Sequence, residues 1–182
     1  MVTPTVNPAA MLAEFHDALG QPYGHGNIAD STLRIKLHRE ETKELIEALR
    51  DGDRVAIAQE LADVVYVAYG TAHSLGLELD VPLEPSYPAR DAAARFTGET
   101  LGLILALLGQ VREDAATSLA ELVADAYFTA HGLGIPLDAV LAEVHRANMT
   151  KFGPDGPILR FDGKILKPDG WTPPDVAGVL NT

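Results

Sequence analysis

Between His38 and Asp63 the chain reads HREETKELIEALRDGDRVAIAQELAD, and the carboxylates Glu40, Glu41, Glu44, Glu60 and Asp63 recur in it at helical spacing. Residues three or four apart share a helix face, so Glu41 projects with Glu44, Glu40 lies beside Glu44, and Glu60 projects with Asp63. The short Asp51-Gly52-Asp53 turn between the two groups sets the helices antiparallel, so the acidic faces can meet. Carboxylates that converge without counter-charge repel and raise one another's pKa. A hard divalent cation relieves this, and an all-oxygen ligand set favours Mg2+ or Mn2+ over zinc or copper. The competing reading is a solvated helix face with lysine partners, for which Lys36–Glu40 and Lys43–Glu47 have the spacing. Glu60 and Asp63 weigh against it, because Leu61, Ala62 and Val64 to Ala68 around them are almost all apolar. Burying acids there is costly unless they are paired or metal-bound. A di-iron carboxylate bundle requires Glu-x-x-His, which is absent.

The elements that must hold these acids are helices. Apolar Met11, Leu12, Phe15 and Leu19 predict a short helix over 7–19, ended by Gly20. Asp30 or Ser31 can cap a long helix to about Leu49, and a second runs from about Arg54 to Leu75 with Gly76 as C-cap. The proline-rich stretch 84–90 is a linker. Further helices are expected near 89–109, 112–133 and 136–150. In ILRFDGKIL, Asp162-Gly163 between β-favouring triplets predicts a small hairpin with a type I′ turn.

The chain also repeats itself. At an offset of 58, residues 41–83 align without a gap on 99–141, with 21 of 43 positions identical. Such a match reads as a duplication, two helical hairpins burying their apolar faces on each other. The expected fold is therefore all-α, a four-helix core from two tandem hairpins. An N-terminal helix and an irregular C-terminal tail with a small hairpin complete it. The 182 residues form a single domain in this reading, with an active repeat over 31–83, a degenerate one over 91–150 and a basic tail over 151–182. Glu40, Glu44, Glu47, Glu60 and Asp63 become Gly98, Gly102, Leu105, Ser118 and Glu121 in the second copy. The packing positions were kept while the acidic cluster was not. Tyr66 becomes Ala124, which points to a role near the site, whereas Tyr69 persists as Tyr127 and reads as packing.

Composition narrows the function classes. The formal net charge of −12 argues against nucleic-acid binding, which needs a basic face. No cysteine is present, which removes disulfides and thiolate metal sites and agrees with a cytoplasmic location. No uninterrupted apolar run approaches the ~18 residues of a membrane span. LGLILALLGQV from Leu101 fits a buried helix, and no export signal pattern opens the chain. A phosphate-bearing substrate therefore needs metal ions or a local basic patch. Arg146, Lys151, Arg160, Lys164 and Lys167, five of the fourteen Lys and Arg residues, cluster near the C-terminus and suit a phosphate grip. A solvated, charge-balancing tail is the alternative. His73 and His131 fall at equivalent positions in the two copies and read as structural, while His38 and His145 show no ligand spacing.

EETKE followed after fifteen residues by ELAD resembles the EExxE…ExxD signature of the all-α nucleoside triphosphate pyrophosphohydrolases. These comprise the MazG-like proteins, the phosphoribosyl-ATP pyrophosphohydrolases and the dimeric dUTPases. EFHDALG, VHRANMTKF and DGKILKPDGWTPPDV are similar to the MazG-like branch that includes dUTP-cleaving members. The resemblance implies hydrolysis of a nucleoside triphosphate between its α and β phosphates, with nucleotide-pool cleaning as the role. It implies Mg2+ ligands at Glu41, Glu44, Glu60 and Asp63, and at Glu40 the acid that orients or deprotonates water or holds a further ion. Asn148, Lys151, Lys164 and Lys167 match positions near substrate phosphates, and Phe15 and His16 match a helix bordering the base pocket. Trp171 reads as an anchor for the tail or a lid over the base. dUTP is the first expected substrate, with dGTP or a modified nucleotide as alternative. Phosphoribosyl-ATP ranks lower because no fused histidine-pathway domain is present. The duplication departs from members in which two chains each bring a complete hairpin, so one site per chain is expected, in a monomeric pseudo-dimer or a homodimer. No nucleic-acid or membrane partner is expected. A catalytically inactive helical module that binds a partner is the rival from another class.

Overall fold

The computed structural model describes residues 5–82, 91–153 and 156–181. The linker expected at 84–90 lies outside the described residues. Seven α-helices, and no strand, occur among those described. They are α1 (Pro8–Ala18), α2 (Thr32–Asp51), α3 (Arg54–Leu75), α4 (Ala92–Gly109), α5 (Arg112–Gly132), α6 (Leu137–Met149) and α7 (Val176–Leu180). Local chemistry sets most of the ends. Asn7 caps α1, its side chain accepting from the Ala10 N–H, with Pro8 in the first turn. Asp53 caps α3 by accepting from the N–H groups of Val55 and Ala56 at 2.9 and 3.1 Å. Gly52 (φ 71°) and Gly76 (φ 63°) close α2 and α3 in the left-handed conformation that only glycine adopts cheaply.

Three details differ from the sequence expectations. Ser31 precedes α2 but does not cap it with its side chain, because its hydroxyl donates to the Ile28 carbonyl at 2.6 Å. Asp30 ends a short 3-10 turn over Ile28–Asp30, and α7 had no periodic signal to announce it. The hairpin at 158–166 is reduced to one antiparallel bridge, Leu159 to Ile165. Its turn is not type I′: Gly163 N–H bonds Arg160 O and Arg160 N–H bonds Lys164 O, which makes a three-residue loop with positive φ at Gly163 alone. Asp162 is held by Arg160 at 2.7 and 2.6 Å and by Lys36 at 3.3 Å.

Hairpin α2–α3 packs on hairpin α4–α5 through α3 against α5 and α2 against α4. α3 is the central helix, also touched by α1, α6 and α7. The offset of 58 seen in the sequence holds in space. α2 and α4 end at 51 and 109, α3 and α5 begin at 54 and 112, and equivalent Thr42 and Thr100 meet across the core at 2.7 Å. Leu45, Leu61 and Val65 are fully buried, as are Leu103 and Leu119, while Val123 is almost so. α4 is not the buried helix expected. Leu101, Leu105 and Leu108 are more than half exposed on its outer face. By length and composition α4 could cross a membrane, with a mean hydropathy of 1.3 and 28% of it buried in this packing.

Candidate functional site

The antiparallel packing of α2 on α3 brings three of the five acids together. Glu41, Glu60 and Asp63 can each place a carboxylate oxygen within 4.8 Å of the others. Burial first, then mutual repulsion, pushes Glu41 up to about 8 and Glu60 up to about 8. Asp63 rises less, to about 6, because Lys151 and Lys167 offset part of the desolvation. Glu44 sits exposed outside the trio, and its charge helps raise all three. Glu40 also stands apart. Both its oxygens accept from Lys164 Nζ, at 3.0 and 2.9 Å. Among the described residues no lysine or arginine pairs with Glu41, Glu60 or Asp63, and Glu60 Oε2 is buried with no hydrogen-bond partner. An orphaned carboxylate oxygen in a trio of raised pKa fits a divalent cation with oxygen ligands. The lysine-paired helix face survives in part: Lys43–Glu47 forms at 3.6 Å, but both groups lie in solvent, away from the trio.

Glu41 and Asp63 of the trio line a cavity of about 520 Å3, whose lining does not include Glu60. α3 supplies Asp63, Tyr66 and Gly70, α2 supplies Arg34 and Glu41, and α1 supplies Phe15 and His16. The last turn of α6 brings Asn148, and the chain after it Lys151 and Lys164, to the same cavity. Lys151 is partly desolvated and its pKa lowered by that burial, with Asp63 and Glu41 opposing the shift. Lys167 does not line the cavity. It stands over Trp171 at 4.4 Å, with Lys151 at 5.5 Å from the same ring. Trp171 anchors the tail, its indole N–H donating to the Ala147 carbonyl at 2.9 Å. Tyr66 hydrogen-bonds His145 Nδ1 at 3.0 Å, and His145 Nε2 meets Glu14 at 3.2 Å. Phe15 crosses Tyr66 and Phe152 edge to face, at 5.7 and 5.3 Å. His38 is structural, buried against the Thr71 hydroxyl at 3.0 Å.

The cavity contains residues that spacing alone did not single out: Gln21, His25, Arg34 and Gly70. One signal for Gly70 was present in the repeat, where Phe128 takes the equivalent position. A side chain at Gly70 would enter the cavity, since a Cβ there lies 3.5 Å from His16 Nε2 and Leu12 Cδ1. The acids of the second hairpin are arranged differently. Glu121 shares a hydrogen bond with Glu99, which burial pushes up to about 8. Asp125 there is held by Arg95 at 3.0 Å, a cation from within the chain.

Residues 12–85 match the family model for phosphoribosyl-ATP pyrophosphohydrolase. That segment carries α1 to α3 nearly complete and all five acids, whereas the second hairpin and the tail lie beyond it. The chain is also similar to an uncharacterized protein, L479, of Acanthamoeba polyphaga mimivirus, with 28% identity over 145 residues. The similarity covers 65% of this chain and 57% of that protein, so the chain spans under two thirds of its relative.

Proposed function

We propose that this chain is a Mg2+-dependent nucleoside triphosphate pyrophosphohydrolase that cleaves dUTP, or another deoxynucleoside triphosphate, to the monophosphate and pyrophosphate. The observation that carries the reading is the Glu41–Glu60–Asp63 trio, with its orphaned Glu60 oxygen, beside Lys151 in the cavity. Glu41, Glu60 and Asp63, with Glu44 at the edge, would hold Mg2+, or Mn2+ in its place. A cation held by these residues would supply positive charge against that of the triphosphate and of the departing pyrophosphate. Lys151, Lys164 and Asn148 grip the phosphates, and Lys167 adds positive field through Asp63. Glu40, fixed by Lys164, orients the attacking water and accepts its proton. Water adds at phosphorus, the α–β anhydride bond breaks, and pyrophosphate departs. Phe15 and His16 border the base. No covalent nucleophile is needed.

Each chain holds one working site, the second hairpin being a retained scaffold in which Arg95 stands where a cation would be useful. The equivalent Thr42–Thr100 contact supports an ancestral duplication, with the molecule working as a pseudo-dimer, alone or as a homodimer. A role in cleaning the nucleotide pool of the cytoplasm follows from the chemistry. The test is pyrophosphate release with Mg2+ from a panel of dUTP, dGTP, modified nucleotides and phosphoribosyl-ATP, the last because of the matched family. Release from dUTP first is expected. Release from phosphoribosyl-ATP alone would move the substrate, and no release from any would favour the inactive partner-binding module.

A further inference from the structure

A second cluster of side chains with metal-binding chemistry borders the same cavity: two of its members line that cavity and the third lines a neighbouring one. His16 comes from α1, His25 from the α1–α2 connection and His73 from the last turn of α3. No sequence spacing links them, yet each can place one ring nitrogen within 4.8 Å of the other two. The rings of His16 and His73 stack with centroids 4.6 Å apart, and His25 lies 5.7 and 6.5 Å from them.

The hydrogen bonds around the three rings fix which nitrogens are free. His16 Nδ1 bonds Gln21 Oε1 at 3.0 Å, His25 Nδ1 bonds the Pro22 carbonyl at 2.9 Å, and His73 Nε2 bonds the Gln21 carbonyl at 3.2 Å. Each partner is an oxygen that only accepts, so each of these nitrogens carries the proton. The lone pairs are then left on His16 Nε2, His25 Nε2 and His73 Nδ1. A ring whose N–H is held by a carbonyl oxygen while its other nitrogen is bare is the arrangement that orients histidine ligands on a metal. Burial, with nearby Arg34, His73 and His25 adding to it, holds the His16 imidazole neutral down to about pH 3.

We propose that His16, His25 and His73 form a second cation site, for a borderline-soft transition ion such as Zn2+, distinct from the oxygen-ligand site at Glu41. Three imidazoles suit zinc far better than magnesium, and they leave a fourth position for water. Zn–N bonds of ~2.0–2.1 Å in a tetrahedral site put the nitrogens about 3.3 Å apart, so from within 4.8 Å the rings close by up to about 1.5 Å. His25 is exposed on a connection already tied to α3 by Gly24 N–H to His73 O at 2.9 Å and Gly26 N–H to Ser74 O at 2.8 Å, so it is the ring that swings in. Arg34 opposes the ion, for its Nη1 faces Gly70 from the same side as His16 Nε2. Occupancy would pin the 20–27 connection to α3 and fix one wall of the cavity. The site stands whether or not the chain hydrolyses nucleotides.

The test is metal binding to the chelator-stripped chain by equilibrium dialysis and by the visible spectrum of Co2+, in excess Mg2+ to occupy the carboxylates. The wild type is expected to take up one Zn2+ per chain and to give the intense absorption of four-coordinate Co2+. His25→Ala should weaken Zn2+ at least tenfold and lose that band, while Glu60→Gln keeps both. Equal Zn2+ uptake by wild type and His25→Ala, or loss of the band in Glu60→Gln alone, would overturn the proposal.

Discussion

Glu60→Gln is expected to stabilise the metal-free protein while removing its activity, and the size and pH dependence of the gain follow from the packing. Glu60 is half-buried, one of its oxygens has no partner, and its pKa is pushed up to about 8. A glutamate in the unfolded chain titrates near 4.5. The folded state therefore holds more protons between those values, and stability falls as pH rises through that window. At pH 7 the gap exploited is about 2.5 pH units, roughly 3 kcal/mol. Part of the repulsion is shared with Asp63 and Glu44, and residual solvent screens it, so about half is expected, ~1.5 kcal/mol or a Tm rise of about 3–6 °C. Glutamine keeps the shape and does not titrate. The difference between variant and wild type, measured by urea unfolding in chelator, should thus be near zero at pH 4.5 and largest at pH 8. Mg2+ should reverse the order, because it stabilises only the chain that binds it. A difference that does not change with pH, or a variant less stable than wild type at pH 8, would refute the claim that these acids are held against their own repulsion.

Mg2+ affinity, read by calorimetry, should rise by up to about tenfold per pH unit per released proton between pH 6 and 8, as Asp63 and then Glu41 and Glu60 ionise. Pyrophosphate release should be abolished by Glu41→Gln and by Asp63→Asn but largely retained by Glu121→Gln; equal losses in all three would end the one-site account. Lys164→Met frees Glu40 and removes a phosphate contact, so both KM and kcat should worsen in steady-state assays, whereas Lys43→Met should change neither. Gly26→Ala would set a Cβ 2.4 Å from Ser74 Oγ and 3.0 Å from the Ser74 carbonyl, so thermal unfolding should show a loss of about 1–3 kcal/mol.

The sequence by itself determined the helices, their antiparallel pairing and the acid-bearing hairpin. These depend on local patterning: apolar spacing, the Asp53 cap, Gly52 and Gly76, and an offset of 58 that repeats both packing positions and helix ends. It marked Glu60 and Asp63 because carboxylates embedded in an apolar helix are costly wherever that helix packs, and helical spacing set Glu40, Glu41 and Glu44 on the facing helix. Tertiary structure alone decided that Glu44 stays in solvent and that Glu40 faces Lys164, since helical phase gives a side chain's direction but not what meets it from 124 residues away. It decided equally that Leu101, Leu105 and Leu108 stay exposed, because an apolar stripe names a face to cover without supplying the cover. The three histidines are the extreme case. Positions 16, 25 and 73 belong to separate elements with no shared period, and only the packing of α1 on α3, with the intervening connection folded back, brings their rings together.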